Sequence, residues 1–264
     1  MTDAEILFNQ VFKRWTDRQG FILSFRRTSS TAMRVATRMI EKENAFFVDE
    51  IRRGSDFDKL FLDKTAFFNA IPPEKMIEKL TELTISQAQI AADAASIIFA
   101  HSFLDGAAFD FCRVTALAAP RDWESLIDQR QIKLSDLRES NYEQILRNKL
   151  DEYFEQFERE SLLKKIDYLF ARCKPPEKWN PMHNFVFDRK RLEILDRYRH
   201  EVIHGNGPVR AIPAAEDEVD YLSRMVLFLQ GLVNLRYGIK LDPFYVFAGK
   251  EGPLGSELAP LPEK

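Results

Sequence analysis

The sequence predicts an all-α protein, an antiparallel helical bundle with a helical extension at its N-terminus. Three observations carry that prediction. Proline, which stops helices, is absent before Pro72, between Pro73 and Pro120, and between Pro120 and Pro175. The proline-free stretches repeat apolar residues at helical spacing instead of alternating them as a strand would. The composition, 45% hydrophobic and 30% charged over 264 residues, is that of a packed globular chain, which excludes disordered and collagen-like readings.

The elements follow in order. Residues 3–19 are expected as a first helix, with Leu7, Val11 and Trp15 one turn apart and Gly20 as its stop. The short stretch 21–25 is left unassigned, and a second helix is expected over 31–52, ending before Gly54. Pro72 and Pro73 open a short helix that runs through Leu83. An alanine-rich pattern over 87–119, closed by Pro120 and containing Gly106, would reach roughly 50 Å and serve as the spine of the bundle. Residues 141–173 read as one further long helix, ended by Pro175 and Pro176. The five acids between Asp151 and Glu160 are its solvated face.

A loop with Trp179 and Pro181 leads to a helix from Asp188 to His204. Gly205, Gly207, Pro208 and Pro213 make the next connection. A closing helix over 216–237 sets Tyr221, Met225, Phe228, Leu229 and Leu232 on one side. The tail reads as an irregular arm packed in part through Phe244, Tyr245 and Phe247. The expected organisation is thus an N-terminal helical extension, 1–78, a helical bundle, 79–240, and an irregular C-terminal arm, 241–264.

Charge and cysteine usage limit the chemistry. Net charge is −3, so any nucleic-acid contact must come from a local basic patch. Residues 13–42 hold eight cations against Asp17 and Glu41. They either track an RNA backbone or form the basic outer faces of two ordinary amphipathic helices. Cys112 and Cys173 stand alone and cannot form a four-thiolate zinc site. No apolar run approaches the ~18 residues of a membrane span, and the N-terminus carries no apolar signal region. A cytoplasmic protein without a membrane segment is expected.

The chemistry concentrates in one run, Arg197-Tyr198-Arg199-His200-Glu201-Val202-Ile203-His204-Gly205-Asn206. Two motifs overlap on it. In His200-Glu201-x-x-His204, two imidazoles one helical turn apart could hold Zn²⁺ while Glu201 activates water. That reading, a zinc hydrolase, lacks its third ligand. The position that would supply a third His holds Arg210, and Glu216, Asp217, Glu218 and Asp220 stand closer than the usual spacing of an acidic ligand.

The second motif is Arg199, the polar His200, three residues, and His204. It resembles the signature of the HEPN superfamily, whose catalytic members are metal-independent ribonucleases. The flanks agree: Val202 and Ile203 are apolar, the helix stops at Gly205, and the motif ends the third of four bundle helices. The resemblance covers roughly residues 79–240. It implies an endoribonuclease without cofactor or metal, a bacterial toxin or antiviral effector, working as a homodimer whose motifs face each other. An antitoxin or defence-system partner would accompany such a protein. The non-enzymatic alternative is a HEPN protein that binds RNA or a protein partner through the same dimer.

RNA can be cut by its own 2′-hydroxyl attacking the adjacent phosphate. That reaction needs a proton-transfer group near neutral pKa and a fixed cation for the charge that builds on the phosphorane oxygens. His204 is therefore assigned as general acid/base, Arg199 as phosphate clamp and His200 as a supporting proton-handling group. Arg197 is assigned as an auxiliary phosphate contact or a dimer salt bridge, and Asn206 as a helix-end cap or substrate contact. Arg199 and His204 lie about 140° apart around an ideal helix. They converge only if the helix loosens at Gly205 or a second chain completes the cleft. Elsewhere, His101 reads as a core or helix-contact residue, and Asp105 and Asp110 on the same helix are acids that either face the motif or are buried with partners.

Overall fold

The computed structural model describes residues 1–52, 73–127, 141–176, 179, 185–205 and 209–243. Every regular element among them is helical, so the fold is all-α. In chain order these are α1 (Asp3–Arg52), α2 (Pro73–Ala118), a 3-10 turn (Pro120–Leu126), α3 (Tyr142–Phe157), α4 (Leu162–Cys173), α5 (Arg189–His204) and α6 (Ala215–Tyr237).

Three boundaries differ from the sequence expectation, each for a local reason. Gly20 does not stop a helix; α1 runs through it without a break. Glycine inside a helix costs only about 1 kcal/mol against alanine, and contacts on both flanks outweigh that. The Trp15 indole N–H donates to the Ser223 carbonyl at 3.3 Å, and Phe21 and Phe25 stack at 6.4 Å. The start of α1 is a capping box. The Thr2 hydroxyl accepts from the Glu5 N–H at 3.3 Å, and the Glu5 carboxylate accepts from the Thr2 N–H at 2.7 Å.

The two segments expected over 73–83 and 87–119 are one helix, α2, because neither glycine nor proline separates them. Conversely, 141–173 is two helices. After Phe157 the chain tightens through Arg159 and Glu160 N–H bonds to Gln156 and Phe157, and Ser161 then caps α4 by accepting from the Lys164 N–H at 3.4 Å. The 3-10 turn is a further addition, held by fully buried Trp123, whose indole N–H donates to Thr115 at 3.1 Å.

By length and composition, Thr81–Ala118 of α2 is apolar enough to cross a membrane, at a mean hydropathy of 1.3 over its best window. Asp93, His101, Asp105 and Asp110 punctuate it, which is why no single apolar run reveals this in the sequence. From Ala100 onward it contributes to the core through Leu104, Ala108, Phe111 and Val114, each 1% exposed or less.

The chain forms two compact units. The first comprises the described parts of Met1–Gly20, Ala100–Tyr198 and Val219–Lys264. Residues 1–20 therefore belong with the bundle rather than with an extension ending at 78. Phe8 and Val11 are buried in it, and Phe8 lies 6.0 Å from Phe111. Trp123, Phe154, Phe157 and Tyr168 form an aromatic cluster with centroids 5.2–6.0 Å apart, and the Arg172 guanidinium lies 4.6 Å over the Trp123 ring. Lys165 is 1% exposed and its charge is met by Asp105 at 2.8 Å. The acids Asp151, Glu152, Glu155 and Glu158 face solvent as expected.

The second unit comprises the described parts of Phe21–Phe99 with Arg199–Glu218. Here α1 and α2 run antiparallel. Phe21 and Phe25 contact Phe99 at 5.7 and 6.0 Å, while Ser29 and Ser30 share a groove with Gln89, Ala92 and Asp93. Arg26 reaches Glu216 at 3.5 Å, tying α1 to the segment that follows the motif. The expected packing of Phe244, Tyr245 and Phe247 lies outside the described residues.

Candidate active site

The motif sits on the last turn of α5, and the sequence explains why a helix ends there. Asp188 caps its start by accepting from the Arg191 N–H at 3.1 Å. Leu192, Leu195 and Tyr198, at a spacing of three, are its buried stripe. At the other end the Gly205 N–H donates to the Glu201 carbonyl at 2.7 Å. Any Cβ at Gly205 would collide with that same carbonyl oxygen, so only glycine fits this close approach.

The helix remains regular through His204. Loosening at Gly205 is therefore not what brings Arg199 toward His204. His200 and His204 share a face, as four-residue spacing requires, with ring centroids 4.8 Å apart and planes tilted by 49°. Both imidazoles are exposed. Arg199 is half-buried on a different face, and its Nε is buried with no hydrogen-bond partner among the described residues. A guanidinium donor left unsatisfied is unfavourable in a resting fold and is suited to an incoming anion. Arg197 and Glu201 are exposed, and Asn206 lies outside the described residues.

The same geometry limits the chemistry one copy can perform. In-line transfer at phosphorus needs proton handling on opposite sides of the phosphate. Two rings on one face supply one side only, with Arg199 on another face. Among the described residues, no group of three or more His, Cys, Asp or Glu is placed to hold a metal ion.

The remaining candidates have partners of their own. His101 is 1% exposed with Nε2 3.2 Å from an Asp196 carboxylate oxygen, as a helix-contact residue should be. Asp105 holds Lys165, and Asp110 holds Arg14 at 2.8 Å. Burial drives the Asp110 carboxyl above its ordinary range, against the pull of Arg14. Burial also pushes the Cys112 thiol well up and that of Cys173 to about 12, so neither is a ready nucleophile.

Sequence reasoning missed one feature of the second unit. A groove of about 450 Å³ opens between α1 and α2, lined by Arg26, Arg27, Ser30, Gln89, Asp93 and Glu216 among others. The stretch 21–25 carries no assigned structure in the sequence reading, so nothing there places this part of the chain beside α2. Comparison of the chain with protein-family models, curated proteins and solved structures returns no match.

Proposed function

We propose that this chain is a HEPN-type, metal-independent endoribonuclease that cuts RNA by 2′-hydroxyl attack, a toxin or antiviral effector acting in the cytoplasm. The observation that carries the reading is the disposition of the motif at the end of α5. Two histidines stand exposed on one face, and an arginine on another keeps a buried, unpartnered Nε. The guanidinium fork suits a phosphate's oxygens, and an imidazole suits proton transfer near neutral pH.

The separation of Arg199 from His204 around a regular helix supports the homodimer in this reading, in which a second copy supplies the opposite side of the phosphate. His204 moves the proton, Arg199 stabilises the phosphorane, His200 supports His204, and Arg197 and Asn206 contact the substrate or the partner copy.

The test is digestion of total RNA with purified protein, with and without EDTA, followed by analysis of the ends. The expected products carry 2′,3′-cyclic phosphates and 5′-hydroxyls and form equally with chelator present. Activity lost on chelation and restored by Zn²⁺ would transfer the site to a zinc hydrolase. RNA bound but never cut would make the protein a non-catalytic RNA-binding member.

A further inference from the structure

The structure sorts the eight cations of residues 13–42 into two sets. Four are engaged. Lys13 pairs with Asp17 at 2.9 Å, Arg14 with Asp110 at 2.8 Å and Arg26 with Glu216 at 3.5 Å, and the Arg18 guanidinium lies 5.2 Å over the Phe103 ring. The other four, Arg27, Arg34, Arg38 and Lys42, are exposed and make no ion pair to a described side chain. Among the described residues, the one polar contact made by any of these four side chains is from Arg34 to the Thr31 hydroxyl, at 3.4 Å.

Continuity of α1 through Gly20 and Arg27 puts these four in register. At 100° per residue they fall within about 80° of arc, and at 1.5 Å per residue they span about 22 Å. The side of α1 carrying Ile22, Ser29, Met33 and Thr37, each at least half-buried, turns toward α2. Arg34, Arg38 and Lys42 lie on the other side, and Arg27 stands at the edge of the groove between α1 and α2. Arg34, Arg38 and Lys42 follow one another at four-residue steps, a rise of about 6 Å each. That is close to one phosphate step of an extended single strand. Only one acid, Glu41, occurs between Arg18 and Lys42.

A second feature of the same unit is suited to bases. Phe21 and Phe99 are 54% and 47% exposed, although they meet edge to face at 5.7 Å with Phe25 alongside. Exposed rings beside a cationic track form the stacking platform and electrostatic groove that single-stranded nucleic acid requires. Arg27 also lines the groove that holds Ser30 and Gln89, whose hydroxyl and amide can meet base edges. A helix lying in a membrane has the opposite order, with apolar residues outermost and cations at the margins. On α1 the exposed Val35 and Met39 stand to one side of the cations.

We propose that the outer face of α1, Arg27, Arg34, Arg38 and Lys42 with the Phe21–Phe99 rings, is a binding track for single-stranded RNA. This rests on the ribonuclease reading in that the track would hold the strand whose cleavage the same unit performs through Arg199 and His204. It adds the form of the substrate, a single strand held through its backbone over several nucleotides.

The test uses the full-length chain with His204→Ala, so that the probe survives, and an oligouridine of about twenty nucleotides followed by fluorescence anisotropy. Combining Arg27→Gln, Arg34→Gln and Arg38→Gln should weaken binding at least tenfold. It should also flatten the slope of log K against log salt by about 2, since each lost phosphate contact removes about 0.7. Phe21→Ala should weaken binding and leave the slope unchanged. Circular dichroism of each variant checks folding, and the exposed charge changes should leave it unaltered.

Unchanged affinity and slope in the triple variant would overturn the proposal, as would absence of RNA binding by the parent chain. Loss of binding to phosphatidylserine vesicles with RNA binding intact would assign the face to lipid and equally overturn it. Cleavage by the chain with native His204 separates the two readings. RNA held on the track but never cut leaves this inference standing and removes the ribonuclease. RNA cut equally well by the triple variant does the reverse.

Discussion

His204 and Arg199 differ in their surroundings, and that difference sets what each substitution should do. His204 is exposed at a helix end, so His204→Ala should change stability by less than about 0.5 kcal/mol. It should slow RNA cleavage by about 10²–10⁴, the range for losing an acid/base. Arg199→Ala should slow cleavage by about 10²–10³, as loss of an oriented charge stabiliser does. His200→Ala should cost less than either. Single-turnover cleavage and thermal melts of the same preparations check both halves; wild-type rates in His204→Ala would make the motif structural.

Asp110 offers a residue-scale test in the core unit. Burial raises its folded-state pKa more than Arg14 and Arg113 lower it. Between the ordinary carboxylate range and that raised value, the folded chain holds a proton that the unfolded chain releases. Stability therefore falls as pH rises through this window. Above it, the charged form carries a standing cost. Asp110→Asn should raise the melting temperature near pH 7 (about neutral), and the gain should vanish below about pH 3, where both states are protonated. Melts of the two proteins across pH decide it, and a larger gain in acid than at neutrality would contradict the sign.

At the scale of the element, two glycines in helical surroundings should respond in opposite directions. Gly20 lies within α1, and nothing stands within 4 Å of where its Cβ would be. Gly20→Ala should stabilise the protein by about 0.5–1 kcal/mol, because alanine is the better helix former and loses less freedom on folding. Gly205→Ala meets the Glu201 carbonyl instead. It should destabilise by about 1–3 kcal/mol, the usual range for overpacking, and displace the last turn that carries His204. Denaturant titration of the two variants gives both signs directly. A stabilised Gly205→Ala would show that the end of α5 is not held by that close approach.

At the scale of the whole molecule, the proposed activity requires two copies. One chain presents His200 and His204 together on a regular helix and Arg199 on another face. Light scattering at micromolar concentration should therefore give twice the chain mass of 30.8 kDa. Mixing Arg199→Ala with His204→Ala protein should restore part of the activity, if each site takes its arginine and histidine from different copies. A fully active monomer would end the composite-site reading.

The sequence by itself determined the helical class, the helix holding the motif and the glycine that ends it, because these depend on local rules. Apolar spacing, proline placement and the close approach at Gly205 all act within one or two turns. Tertiary structure decided the rest. Gly20 stays helical because Trp15 reaches Ser223 on one side of it and Phe21 and Phe25 reach Phe99 on the other, which no local propensity reveals. Residues 1–20 join the bundle because Phe8 meets Phe111 and Arg14 meets Asp110, partners about a hundred residues away in sequence. Which of Arg14, Arg18 and Arg26 find partners likewise depends on where Asp110, Phe103 and Glu216 arrive. Composition counted the charges, but packing set which of these three find a distant partner, since long-range contacts decide what each side chain meets.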